Sequence, residues 1–221
     1  MTKVFPAATV VLLRDQQNKD ACSSLEVLLL CRSAALSFAG DCWVFPGGRI
    51  DREDYGRELN DIGAAARRGA VRETLEEAGL AISATELVYF AHRTTPAGRS
   101  RRFATWFYIA IAENEQAVTV DGGEIVDHCW STPLDVLEQY SRRAVKMMPP
   151  TVMILSELLD CKNAAQALAV YKNRSGQLHM PTFTITERGI VMQYPDNAVG
   201  DPEGQNTQYL LEERWRENCE S

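Results

Sequence analysis

The stretch Ala70-Val-Arg-Glu-Thr-Leu-Glu-Glu-Ala-Gly-Leu80 (AVRETLEEAGL) places three glutamates, Glu73, Glu76 and Glu77, within five residues. At roughly 100° per residue around a helix, Val71, Thr74, Leu75 and Ala78 fall on one stripe. That i, i+3, i+4, i+7 spacing predicts a core-facing side. The three glutamates fall opposite, about a turn apart, on the side expected to face solvent. Like charges so placed cost a helix ~0.2–0.5 kcal/mol per pair. A solvated acidic face, eased by an Arg72–Glu76 pair, is one explanation. A divalent cation is the other, because it turns the repulsion into coordination. Magnesium suits this, since it takes hard oxygen ligands, keeps several waters and bridges to phosphates.

The sequence upstream favours the cation. Trp43-Val-Phe-Pro-Gly-Gly48 reads as a short strand, Cys42–Phe45, stopped by a turn whose glycines let backbone approach a ligand closely. The acidic helix is expected over Ala64–Glu77, with Gly79 at its stop. Around it lie strand patterns at Val4–Arg14, Leu25–Arg32, Leu87–Thr95, Arg102–Ala112 and Glu124–Thr132. Asp51–Gly63 reads as loop. Helical patterns follow at Pro133–Arg143, Pro150–Cys161 and Asn163–Lys172, then a late hairpin (Phe183–Ile185 and Ile190–Tyr194) and a polar tail up to Tyr209–Trp215. The order implies an α+β fold: a mixed sheet with helices packed on it and a helical C-terminal extension. The expected division is 1–145 for the main domain and 146–221 for an extension packed on it.

Together, VFPGG and RETLEEAGL resemble the signature of the Nudix hydrolase superfamily: glycine, five residues, glutamate, seven residues, then Arg-Glu-apolar-x-Glu-Glu-x-Gly-apolar. Arg72 to Leu80 match its second half, with Thr74 at a more usually apolar position. The first half departs. Gly48 and Arg72 lie 24 positions apart where the signature has fourteen, so the loop carries ten extra residues. Counted forward from Gly48, the signature's outer glutamate falls on Asp54; counted back from Arg72, it falls on Ala64. That carboxylate is displaced or absent. Arg32-Ser-Ala-Ala-Leu36, FPGGRIDRED and Pro149-Pro-Thr151 further resemble the coenzyme A diphosphatase branch of the superfamily.

The resemblance implies cleavage of a diphosphate in a nucleoside diphosphate derivative, with coenzyme A or an acyl-CoA expected as substrate. ADP-ribose, a dinucleotide or a nucleotide sugar is the alternative, and a Nudix-fold binding module without catalysis is a third. By the same resemblance, Glu73, Glu76, Glu77 and the Gly47 carbonyl would hold Mg2+ or Mn2+, which would activate water. Arg72 would orient a glutamate by a charge-assisted bond. Glu124 is the candidate general base, with Asp127 and His128 as rivals. Arg32, Arg93, Arg101 and Arg102, with Arg99, are candidates for phosphate contacts, since guanidinium forks match phosphate oxygens. Phe45, Trp106 and Phe107 are candidates to stack on a base, with core packing as the alternative.

Composition narrows the class. The 221 residues are 45% apolar, enough for a substantial core, and carry a net charge of −7, which disfavours broad electrostatic binding of nucleic acid. No apolar run approaches the ~18 residues of a membrane span. VFPAATVVLL is read as a first strand rather than a signal segment, and Cys-Glu-Ser at the end matches no ER or peroxisomal address. The six cysteines form no Cys-x-x-Cys pair, so neither zinc nor a disulfide framework is expected. The Asn173-Arg-Ser sequon is read as chance. A cytoplasmic enzyme is expected, with the C-terminal extension either capping the substrate pocket or making a homodimer contact.

Overall fold

A computed structural model describes residues 3–17, 23–57, 60–95, 101–113, 116–173, 182–186 and 189–193. Arg99 and the 209–215 segment lie outside these. The chain divides into two compact units, Met1–Ser175 and Gly176–Ser221.

The first unit is built on β1 (Val4–Gln17), β2 (Ser23–Arg32), β3 (Cys42–Val44), β4 (Gly47–Arg49), β5 (Val88–Thr94), β6 (Arg102–Ile111), β7 (Ile125–Ser131) and β8 (Lys146–Met147). They form one mixed sheet in the order β5-β6-β1-β2-β3-β8, with β4 also paired to β1 and β7 to β2. β1 runs parallel to β6 and antiparallel to β2 and β4. Val10 to Leu13 in β1 and Val27 to Leu30 in β2 are wholly buried, side chains of both parities alike. Unbroken apolar strands of this kind belong to a sheet covered on both faces.

Helix α1 (Ile62–Ala78) covers one face. The Asp61 side chain caps it by accepting the Ala64 N–H, and Gly79 closes it at φ +68°. Ala8, Val10, Leu12, Leu28, Leu30, Tyr108 and Ala110 pack beneath it against Ala65, Ala66 and Ala70. Helix α2 (Pro133–Ser141) packs on β2, α3 (Pro149–Leu158) packs on α2, and α4 (Ala164–Asn173) packs on β1, β5 and β6. There the Tyr171 ring meets Phe90 at 4.7 Å. Asp15 Oδ1 in β1 accepts the Ala164 N–H at 2.7 Å and so ties α4 to the sheet. Among the described residues no helix is long and apolar enough to cross a membrane. The second unit contains an antiparallel hairpin, β9 (Thr182–Thr186) with β10 (Gly189–Gln193).

One expectation is corrected. Leu75, placed on the core stripe, is 52% exposed, whereas Glu77, placed towards solvent, is only 6% exposed. The buried side of α1 is lined by Ala65, Ala66, Gly69, Ala70, Thr74, Glu77 and Ala78. Small residues let the helix approach the sheet closely, and the approach buries Glu77 with them.

Candidate active site

The Pro46-Gly47-Gly48 turn lies under the C-terminal half of α1. Gly47 has φ +152°, and a Cβ there would come within 2.4 Å of the Ala8 carbonyl oxygen. Only glycine fits. Its N–H donates to Glu77 Oε2 at 2.8 Å. At Gly48 a Cβ would lie 2.4 Å from the carboxyl carbon of Glu73. Two of the three helix acids therefore rest directly on the glycine turn. Burial pushes the Glu77 carboxyl up to about 8, although the Gly47 amide pulls the other way. Burial also raises Glu73, against the lowering effect of Arg72. Glu76 stays exposed and pairs with Arg72 Nη1 at 2.9 Å.

Arg72 organises one end of this row. Its Nε and Nη2 donate to the two oxygens of Asp54 at 3.1 and 2.9 Å, a fork-to-fork pair. Nη2 also donates to the Arg49 carbonyl, and Nη1 to Glu73 and Glu76. The hydrogen bond to Asp54 leads the causes that raise the Arg72 pKa. Asp54 is 5% exposed and sits in a short 3-10 turn, Glu53–Tyr55, within the segment read as loop. It also accepts the Asp51 N–H at 2.8 Å, and Arg68 donates to the Asp54 and Tyr55 carbonyls. Of the two sequence counts, the forward one thus lands on a buried carboxylate that holds the helix arginine. Gly69 makes this possible, since a Cβ there would lie 3.0 Å from Asp54 Oδ2.

The other end is closed by Arg32, at the end of β2. Its Nη1 lies 3.8 Å from Glu77 Oε1 and its Nη2 3.4 Å from Glu124 Oε2. Glu124 precedes β7 and its side chain is 63% exposed. Asp121 presents it: the Asp121 carboxylate accepts the N–H groups of Gly123, Glu124 and Ile125. Slight burial raises the Asp121 pKa, and these amides outweigh it and hold the carboxyl below its ordinary value. Sequence reading passed over Asp121, although Asp-Gly-Gly-Glu is a turn signal.

The remaining candidates are dispersed. Arg93 is half-buried and opposite Thr105, so strand alternation puts it on the sheet face away from α1. Arg101 is exposed ahead of β6, and Arg102 Nε donates to the Thr95 carbonyl at 2.9 Å. Phe45 and Phe107 are buried among apolar residues, in keeping with the core-packing alternative. Trp106 is half-buried against His92, with ring centroids 4.0 Å apart. Asp127 Oδ1 accepts the His128 N–H, and His128 lies opposite Leu30 in the sheet.

Among the described residues no three acidic, histidine or cysteine side chains already converge on one point suited to a metal. Glu73 and Glu76 turn to Arg72, and Glu77 turns to Gly47 and Arg32. The donor chemistry nevertheless fits a hard divalent cation. The candidate donors are oxygens alone, from the Gly47 carbonyl and three carboxylates; two of those carboxylates are largely buried, and one of these rests where a Cβ would otherwise stand.

Residues 4–149 match the family model for the NUDIX domain. A nudix protein of Caenorhabditis elegans is 26% identical over 62% of this chain, which spans 57% of that relative's length. The acyl-coenzyme A diphosphatase NUDT19 of Xenopus laevis is 23% identical over 84% of this chain and 73% of its own length. A NUDIX hydrolase from Alicyclobacillus acidocaldarius superposes with a TM-score of 0.68, covering 76% of this chain and 97% of that one at 23% identity. The family model spans well over half of the chain and includes the helix and glycine turn that carry the carboxylates: the chain belongs to the Nudix hydrolase superfamily.

Proposed function

We propose that this chain is a cytosolic, Mg2+- or Mn2+-dependent hydrolase of the diphosphate linkage in coenzyme A or an acyl-CoA. The observation that carries the reaction class is Glu77, a buried carboxylate held on the Gly47 amide with Glu73 packed on Gly48 beside it. A carboxylate held out of water needs a compensating positive charge to stay ionised. Support for coenzyme A comes from Arg32-Ser-Ala-Ala-Leu36 ahead of FPGG and from the relative that carries that activity in its name. Free Cys31, Cys42, Cys129 and Cys161 accord with a reducing compartment.

In this reading Glu73, Glu76 and Glu77 hold the cation, which would neutralise diphosphate oxygens and lower the pKa of a water. Arg72 keeps Glu73 and Glu76 aimed and does not touch substrate. Glu124, exposed at the rim, accepts the proton as the water oxygen bonds to phosphorus. The bridging oxygen leaves with the departing phosphate. Coenzyme A then yields phosphopantetheine and 3′,5′-ADP.

The test is a panel of coenzyme A, acetyl-CoA, ADP-ribose, a dinucleoside polyphosphate and a nucleotide sugar with Mg2+. The highest kcat/KM is expected for coenzyme A or acetyl-CoA, with 3′,5′-ADP released. A preference for ADP-ribose would replace the substrate and keep the chemistry. Binding without turnover of any of them would leave only a binding module.

A further inference from the structure

Arg32 occupies an unusual place beside this site. Its guanidinium lies between carboxylates from two distant segments, yet at 3.8 Å from Glu77 and 3.4 Å from Glu124 neither contact has the length of a strong charge-assisted bond. Its Nε is buried and has no hydrogen-bond partner. A guanidinium cannot shed its charge by losing a proton, so it must stay paired wherever it is buried. The backbone around it is well tied: Ser33 N–H donates to the Glu124 carbonyl at 2.7 Å, and Asp41 N–H donates to the Arg32 carbonyl at 3.0 Å. The side chain alone is loosely seated.

We propose that Arg32 is an exchangeable counter-ion. It bridges Glu77 and Glu124 in the cation-free protein, yields Glu77 to the divalent cation, and then turns its fork to the diphosphate. This rests on the carboxylates being the cation ligands, as proposed above. Glu77 cannot serve both positive charges at full strength, so Arg32 and the cation compete. Once released, the guanidinium needs another anion close by, and a diphosphate has the matching pair of oxygens. Cation and substrate then favour each other's binding through one side chain, and the effect is reciprocal.

Mn2+ binding to the full chain, followed by electron paramagnetic resonance without nucleotide, tests this. Arg32→Gln is expected to bind Mn2+ roughly tenfold more tightly than wild type, within the usual range of coupling between sites. At saturating Mn2+ its KM for the diphosphate substrate should rise several-fold. Arg32→Lys keeps the charge but loses the fork, so Mn2+ affinity should stay near wild type while KM rises. In unmodified protein, Mg2+ should shift the Arg32 Nε–H NMR signal, identified by its absence from Arg32→Lys. An unmoved signal, or Mn2+ affinity in Arg32→Gln no higher than in wild type, overturns the exchange. Glu77→Gln separates the two ideas. If it loses Mn2+ while Arg32→Gln gains nothing, only the exchange fails. If it binds Mn2+ like wild type, the ligand assignment fails as well.

Discussion

Two arginines flank one row of glutamates and are held in opposite ways. Arg72 meets both oxygens of buried Asp54 within 3.1 Å and spends its other donors on Glu73, Glu76 and the Arg49 carbonyl. Arg32 reaches its two glutamates only at 3.8 and 3.4 Å and leaves Nε unpaired. The first corner is a clamp between the glycine turn, the 3-10 turn and α1. The second is a weak contact at the open rim. A satisfied buried network resists rearrangement, whereas an under-used charge can change partner at little cost.

Removing the clamp carries the largest expected effect. Asp54→Ala strands Arg72 beside a buried hole and should destabilise the fold by about 3 kcal/mol or more, measured by urea unfolding. A loss under about 1 kcal/mol would mean that Arg72 finds other partners and that the two corners are alike. Next comes Glu77→Gln. It should remain folded and lose about a hundredfold in kcat with Mg2+, about 2.7 kcal/mol of barrier. Near-normal turnover of the folded variant would remove Glu77 from the chemistry.

Metal-free pH dependence sharpens the comparison further. An unfolded glutamate releases its proton near its ordinary value, 4.5, while folded Glu77 retains it up to about 8. Between these values the folded state binds more protons, so stability falls as pH rises across the window and levels off above it. In EDTA, wild type should therefore lose several degrees of Tm relative to Glu77→Gln between about pH 5 and pH 8. A constant difference would mean that Glu77 is not desolvated. The smallest effect belongs to a surface pair outside the site: Glu138, 3.0 Å from Arg142, with both side chains exposed. Glu138→Ala should change stability by less than about 0.5 kcal/mol, a baseline for the other variants.

The helix at Ala64–Glu77 was legible because its signals are local, namely an acidic motif and a glycine stop, and the structure extends it only to Ile62–Ala78. Which side of it is buried was not. The stripe was drawn from Val71, Thr74, Leu75 and Ala78, but the sheet is met mainly by alanine and glycine, which weigh little in an apolar pattern. Gly47-Gly48 carries no strand propensity and reads as a turn; its pairing with Ala7 to Thr9 of β1 makes β4 a strand. Asp54 was one of two possible counts. Only the loop that returns it to Gly69 and Arg72 distinguishes it from Ala64.

Sequence alone determined the strand-rich frame around one acidic helix, the superfamily and the cluster of three glutamates on that helix, because each is written in neighbouring residues and short spacings. Tertiary structure decided which acid is buried and which cation faces it. Gly47 and Glu77 are 30 positions apart, and Arg32 and Glu124 are 92. Burial and pairing between such residues follow from how the sheet and α1 close on each other, and no local pattern carries that information.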